Sequence, residues 1–174
     1  MHRAVRLAAA THPARLVVVT GAHEHEVAAA LQVIAIDHRL ELIANPDWTR
    51  GLSTSLAVAA NALAGVDAPA LILVCDQPAL QEHHVRALLD GAAHSSAGCA
   101  ATRHGERLGV PAVVSARLLD SARELRGDAG FGARLSALDG VWTLDAPELA
   151  LDLDTPADVA DAVSRGWLDG AGNE

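Results

Sequence analysis

The sequence predicts an α/β domain in which helices cover both faces of a mostly parallel sheet. Short runs of branched aliphatic residues alternate with longer segments of helical periodicity, and the run at residues 71–74 has no polar residue to face solvent. Repeated β-α-β alternation of this kind is typical of parallel strands joined by right-handed crossovers. A chain of 174 residues can bury one substantial core. We therefore expect a single domain over residues 1–168 and a frayed tail at 169–174.

The first half of the chain alternates regularly between strands and helices. The pattern predicts the end of a helix at 5–11 and strands at 16–20, 40–44, 71–75 and 97–102, with helices at 23–31, 53–63 and 81–93. Ser53 is a plausible N-cap for the helix that it begins. The strands at 16–20, 40–44 and 71–75 are thus each followed by a helix, which is typical of a parallel sheet.

The second half is less regular. The pattern predicts strands at 110–114, 141–144 and 149–153, and helices at 116–125 and 131–138. A last helix begins with Thr155 as its N-cap and Pro156 at its first position. No internal repeat or linker divides the chain into two domains.

Composition excludes several classes of partner. The formal charge of −9 argues against nucleic acid, because a phosphate backbone requires a basic surface. No signal peptide is visible, and polar residues and a proline interrupt the longest apolar region, so we expect a soluble cytoplasmic protein with no membrane association. Cys75 and Cys99 lack the spacing of metal ligands, and both are interpreted as reduced core residues.

Acidic residues stand at the ends of two predicted strands. Asp76 directly follows the apolar run at 71–74, and Asp152 and Asp154 point to one side of an extended segment because side-chain direction has a period of two. Ligands of open α/β sheets bind at the carboxyl ends of the strands. Carboxylates from two strand ends, completed by water and phosphate oxygens, match the usual coordination of Mg²⁺. Helix capping by Asp76 or Asp154 is the structural alternative.

A third segment could approach a nucleotide. The loop at 45–55 runs into a helix N-terminus, and its glycine, hydroxyls and backbone amides suit close contact with phosphate. Such a loop is more often only the start of a helix. His83 and His84 are adjacent on a predicted helix and are interpreted as surface residues, and Trp48 as core or lid packing.

The order of these segments resembles the cytidylyltransferases of molybdenum cofactor maturation and their relatives, from Leu16 to the end of the chain. The resemblance rests on VVVTGA at 17–22, NPDW at 45–48, GLSTSL at 51–56, CDQP at 75–78, GVPA at 109–112, GDAG at 127–130 and LDLDTPAD at 151–158. It implies a three-layer, Rossmann-like nucleotidyltransferase fold. It further implies that Asp76 coordinates Mg²⁺, with Asp152 or Asp154 as a further ligand.

The resemblance also implies substrates and partners. Gly51, Ser53 and Ser55 would lie against the nucleotide, and Gly109 and Pro111 would border a pterin. The implied reaction transfers CMP from CTP to molybdopterin with release of pyrophosphate. A molybdoenzyme or its chaperone is a further expected partner, and a homodimer is an expected assembly.

The family's first strand and its phosphate loop, of the type LAAGxSxRxGxxK, have no counterpart in this sequence. We therefore expect either unpaired edges on the strands at 16–20 and 71–75 or direct pairing between these strands, with poor solubility or a swapped dimer. Loss of preorganised donors lowers rates on the order of 10²-fold or more, so weak or absent activity is expected. A catalytically degenerate protein that binds a nucleotide, pterin or partner is the main alternative. Nucleotidyl transfer to a sugar phosphate or isoprenoid is a third.

Overall fold

Two separate sheets lie at the centre of the fold. The computed structural model describes residues 1–35 and 40–168. The first sheet is a parallel pair, β1 (Leu16–Thr20) and β2 (Leu40–Ala44). The second has the strand order β3-β5-β4-β6 and consists of β3 (Ala70–Ile72), β4 (Ala100–His104), β5 (Arg107–Val114) and β6 (Trp142–Leu144). Because β5 is antiparallel to β3 and β4, while β6 is parallel to β4, three of these four strands share one direction.

Helices pack around both sheets. They are α1 (His2–Ala9), α2 (Glu24–Ala35), α3 (Leu52–Ala62), α4 (Glu82–His94), α5 (Ala116–Asp120), α6 (Gly132–Ser136) and α7 (Pro156–Ser164), with 3₁₀ turns at Trp48–Arg50, Ser121–Glu124 and Pro147–Ala150. This arrangement confirms the predicted α/β class. No helix in the described part of the chain is long and apolar enough to cross a membrane.

The direction of α3 shows which strand ends share an edge. Its last residue, Ala62, accepts a hydrogen bond from Arg15, which precedes β1. Its first turn contacts Asn45, which follows β2 and donates its backbone N–H to Thr20 O at the end of β1 (2.7 Å). α3 therefore runs antiparallel to β1. The chain then turns back into β3, so the carboxyl ends of β1, β2 and β3 lie at one edge.

The apolar run after Pro69 forms a shorter and less buried strand than expected. β3 ends at Ile72, and its residues are only half-buried. The prediction of a strand at 71–75 buried on both faces was wrong because β3 pairs only with β5 among the described residues. Cys75 is exposed, so its assignment to the core was also wrong, whereas Cys99 is buried.

Three local predictions in the rest of the chain need correction. Gly51, not Ser53, is the N-cap of α3, and Ser53 is buried inside the first turn. The segment 149–153 forms no strand, because a 3₁₀ turn occupies Pro147–Ala150 and irregular backbone follows. β5 begins at Arg107 and pairs antiparallel with β4 as a hairpin.

The end of the described chain follows the predicted capping. Thr155 accepts the backbone N–H of Asp158, whose carboxylate accepts the N–H of Thr155 in return (2.7 Å). This reciprocal capping box, with Pro156 at the first helical position, begins α7 as expected. The predicted frayed tail at 169–174 lies outside the described residues.

Candidate functional site

Asp76 lies four residues beyond β3, at the edge where β1, β2 and β3 end. Its carboxylate Oδ1 is buried and has no hydrogen-bond partner. Its backbone carbonyl accepts a hydrogen bond from the N–H of Leu153 (2.9 Å). This bond holds the 151–154 segment beside Asp76, although the segment is not a strand.

Negative charges surround the carboxylate of Asp152. Its pKa is raised, first because neighbouring groups exclude water and then because the carboxylates of Asp76 and Asp154 repel its charge. A hydrogen bond from the Gln77 side chain and the charge of His104 lower the pKa of Asp152 and so oppose this shift. More than a third of Asp152 remains exposed, so the repulsion is partly screened by solvent. The structure thus brings acidic residues from two distant segments into electrostatic contact.

Asp76, Asp152 and Asp154, which we call the aspartate group, do not form the tightest cluster of potential metal ligands. The tightest cluster consists of His83, His84 and Glu148, whose ligand atoms lie within 4.8 Å of one another. No other group of three potential ligands meets this distance within residues 1–35 and 40–168. Carboxylates of the aspartate group are therefore more widely spread than a closed three-ligand site requires.

Gln77 connects the aspartate group to the GVPA segment. Its buried amide nitrogen donates to Leu149 O (3.0 Å) and more weakly to Val110 O (3.3 Å). His104 contacts the same Val110 carbonyl through Nε2 (2.9 Å). These bonds place residues 109–111 next to the chain that leads into the acidic segment. Gly109 is half-buried beside this segment, whereas Pro111 is fully buried.

Gly51 is fixed by its backbone conformation and by its neighbours. It has φ 105° and ψ 171°, a region that only glycine adopts readily. A Cβ at this position would lie 2.4 Å from the carbonyl carbon of Gly127 and 2.7 Å from Oδ1 of Asp128. The N–H of Ser53 donates to Gly127 O (3.0 Å). The loop before α3 is thus locked against the GDAG segment.

Asn45 organises the hydroxyl groups of the loop. Its side-chain amide donates to Thr54 Oγ1 (2.8 Å) and Ser55 Oγ (2.9 Å), and its Oδ1 accepts the N–H of Asp47 (3.0 Å). Ser55 is half-buried, and Ser53 is buried. Trp48 was predicted to pack in the core or in a lid, and its exposure of 47% contradicts only the core alternative. Backbone groups and the Trp48 ring are consequently more accessible to a ligand than the Ser53 side chain.

A protein-family comparison decides the relationship. Residues 1–141 match the MobA-like NTP transferase domain. The chain belongs to the MobA-like NTP transferase family. No curated protein resembles the sequence closely enough to count as a match.

Solved structures share the fold of this MobA-like domain. Rv0371c from Mycobacterium tuberculosis H37Rv, in a complex with manganese, is 19% identical with a TM-score of 0.70, over 94% of this chain and 85% of that chain. A homolog of Rv0371c from Mycobacterium sp. strain JC1 is 25% identical with a TM-score of 0.67, over 93% and 81%. A nucleotidyl transferase from Methanothermobacter is 23% identical with a TM-score of 0.72, over 95% and 79%. The chain therefore has the predicted nucleotidyltransferase fold.

The sequence interpretation missed His84. This residue of the MobA-like domain is 3% exposed, whereas a surface position was expected. Its Nδ1 accepts the backbone N–H of Gln81 (3.1 Å), and its Nε2 is 2.9 Å from Oε1 of Glu148. Helical spacing could have revealed this, because His84 lies four residues before the buried Leu88 on α4. Both ring nitrogens are engaged, so a metal ion here would displace one of these bonds.

The His84–Glu148 pair predicts loss of stability in acid. Burial lowers the pKa of His84. The pKa of Glu148 is also lowered, mainly by a backbone hydrogen bond and to a smaller extent by the hydrogen bond from His84. Below pH about 6.5 the unfolded chain takes up the histidine proton more readily than the folded chain. The free energy of unfolding should therefore fall from pH 7 toward pH 5, measured by urea denaturation.

Two variants test whether His84 causes this pH dependence of stability. In His84→Gln the dependence should diminish, and stability at pH 8 should fall by about 1–3 kcal/mol because buried partners lose their bonds. His83→Gln removes the weaker charge repulsion of an exposed neighbour and should change both properties much less than His84→Gln. Equal slopes in the wild type and His84→Gln would contradict the assignment.

Proposed function

We propose that this chain is a metal-dependent nucleotidyltransferase, with CTP and molybdopterin as its nucleotide and acceptor. The family match over residues 1–141 is the observation that carries nucleotidyl transfer. The choice of CTP and molybdopterin rests on the motifs around Asp76 and Asp152 that resemble the cofactor cytidylyltransferases.

The aspartate group fits a divalent cation. Asp76 has a buried oxygen without a hydrogen-bond partner, and the pKa of Asp152 is raised first by burial and then by its acidic neighbours. A cation would satisfy the orphaned oxygen and offset the mutual repulsion. The manganese complex of Rv0371c supports this assignment by analogy. Asp76 and Asp152 would then hold Mg²⁺, with Asp154 as a further acidic neighbour, and the bound ion would neutralise charge on the phosphates.

In the proposed reaction, the main role of the protein is to position the reacting groups. A phosphate oxygen of the acceptor forms a bond to the α-phosphorus of the nucleotide, while the bond from that phosphorus to the β-phosphate oxygen breaks and pyrophosphate leaves. The rigid loop at Gly51 and Ser55 would orient the nucleotide, and Gly109 and Pro111 would border the acceptor. Alignment of the reacting atoms supplies a large part of such rate accelerations.

A non-catalytic binding protein is a second candidate function. Of the described groups that act on Asp152, only Gln77 and His104 favour its charged form, and neither is an arginine or lysine. Developing charge on pyrophosphate needs cationic or hydrogen-bonding partners. A site with few such partners would favour binding without turnover.

Pyrophosphate release separates these functions. The purified chain is incubated with Mg²⁺, molybdopterin and one nucleotide, either CTP, GTP or ATP. We expect acceptor-dependent release of pyrophosphate that is highest with CTP. Release that is highest with GTP or ATP would overturn the nucleotide assignment. Saturable CTP binding without release would support the binding protein instead.

A further inference from the structure

The 151–154 segment, which carries Asp152 and Asp154, forms neither a strand nor a helix. Regular elements hold their residues in place through repeated backbone hydrogen bonds. An irregular segment is held instead by packing and by individual hydrogen bonds from its neighbours. The position of Asp152 therefore depends on the groups to which the surrounding residues are attached.

The stretch from Asp76 to His84 forms a rigid support beside this segment. Ala79 and Leu80 lie between these two residues, and each is 1% exposed. They share an apolar cluster with Val85 of α4. Because closely packed interiors resist displacement, Asp76 and the first turn of α4 hold a fixed position relative to each other.

Hydrogen bonds attach the chain on both sides of Asp152 to this support. The backbone N–H of Leu153 donates to Asp76 O (2.9 Å). At the other end of the support, Nε2 of His84 lies 2.9 Å from Oε1 of Glu148. Asp152 lies between the two attached residues, Glu148 and Leu153. A change at either attachment would therefore alter where its carboxylate lies.

The bond between His84 and Glu148 has a defined direction. Because Nδ1 of His84 accepts the backbone N–H of Gln81, this nitrogen carries no proton. The proton of the neutral ring is consequently on Nε2, which donates to the carboxylate of Glu148. His84 is 3% exposed, whereas the side chain of Glu148 is 40% exposed. The buried ring is thus the fixed partner, and Glu148 is the residue that it holds.

We propose that the hydrogen bond between His84 and Glu148 positions Asp152 beside Asp76 for a shared cation. His84 and Glu148 act as positioning residues in this account, not as ligands of that cation. The cation belongs to the proposed function, on which this inference rests, but the placement of the segment can be measured without metal. Loss of the bond would free one side of the segment, and ligands that must be ordered on binding hold a metal less tightly.

Hydrogen exchange of the Leu153 amide in the metal-free protein tests this placement. Glu148→Ala removes the acceptor and should accelerate the exchange about tenfold, the effect of losing a hydrogen bond to a charged group. His84→Asn keeps an oxygen for the Gln81 N–H but removes the Nε2 donor, and it should act similarly. Amides of β5 that bond to β4 report changes in global stability and serve as the reference. Leu153 exchange that is unaltered relative to this reference in both variants would overturn the proposal.

Isothermal titration with Mn²⁺ tests the connection to the cation. Glu148→Ala should weaken binding about tenfold, as changes to residues that orient metal ligands do. Glu148→Gln removes the same charge but keeps an acceptor for His84, so it should recover most of the lost affinity. Glu82→Ala removes a carboxylate that pairs with Arg86 on the surface of α4 and is the matched control. It should leave the affinity within about twofold of the wild type.

The outcomes separate this proposal from the proposed function. Equal losses of Mn²⁺ affinity in Glu148→Ala and Glu148→Gln would overturn the proposal, because the charge of Glu148 would then act on the cation directly. Faster Leu153 exchange with unchanged Mn²⁺ affinity would also overturn it. A wild type that binds no Mn²⁺ would instead contradict the proposed cation site, whereas faster Leu153 exchange in Glu148→Ala would still support the placement of Asp152 by this bond.

Discussion

Replacement of Asp76 by asparagine is expected to weaken Mn²⁺ binding roughly 10- to 100-fold, a range typical for disruption of a metal site. The amide keeps the shape of the side chain but removes the charge that would face the cation. Because Oδ1 of Asp76 is buried and has no hydrogen-bond partner, we expect this substitution to weaken Mn²⁺ binding more than any other within the aspartate group. Isothermal titration calorimetry with MnCl₂ measures the change.

Two control measurements show whether the loss of Mn²⁺ affinity is specific to Asp76. Asp90→Asn removes an exposed carboxylate on α4 and should leave Mn²⁺ affinity within about twofold, because surface charges act weakly through solvent. In Asp76→Asn the pKa of Asp152 should also fall toward its ordinary value, because one repelling charge is gone. NMR titration of the Asp152 carboxyl carbon reports this change. An unaltered Asp152 titration would show that the two carboxylates do not interact.

Gly51→Ala is expected to destabilise the fold by about 2–4 kcal/mol and to abolish nucleotide binding. The added Cβ would combine an unfavourable positive φ with overlap on the backbone of Gly127. Relief requires movement of the loop away from the GDAG segment, which disrupts the site. Urea denaturation and titration with CTP measure the two effects.

Gly65→Ala is the matched control for Gly51→Ala. Gly65 also has a positive φ, 81°, but a Cβ there would meet no atom within 4 Å. The control therefore isolates backbone strain, worth about 1–2 kcal/mol, and CTP binding should persist. Equal effects of the two substitutions would show that packing against Gly127 does not constrain the loop.

The sequence was most informative where local pattern and tertiary neighbours agree. The strands Leu16–Thr20 and Leu40–Ala44 have the predicted bounds because each aliphatic run ends at a polar residue or turn. Thr155 likewise caps α7 as predicted, since capping depends on residues close in the chain.

Burial was less predictable because it depends on neighbours that local sequence does not specify. The aliphatic run after Pro69 predicts a central strand, yet among the described strands β3 pairs with β5 alone, and Cys75 is exposed. His84 illustrates the opposite error: polarity suggested a surface position, but its partners in Gln81 and Glu148 allow burial. The contact between the Asp76 and Leu153 backbones could be expected only from the fold.

The most direct test is a double-mutant cycle on Mn²⁺ affinity with Asp76→Asn, Asp152→Asn and the combined variant. If both carboxylates hold one cation, either substitution should remove most of the binding free energy, and the combined loss should be well below the sum of the single losses. Wild-type affinity in both single variants, or strictly additive losses, would contradict a shared cation site.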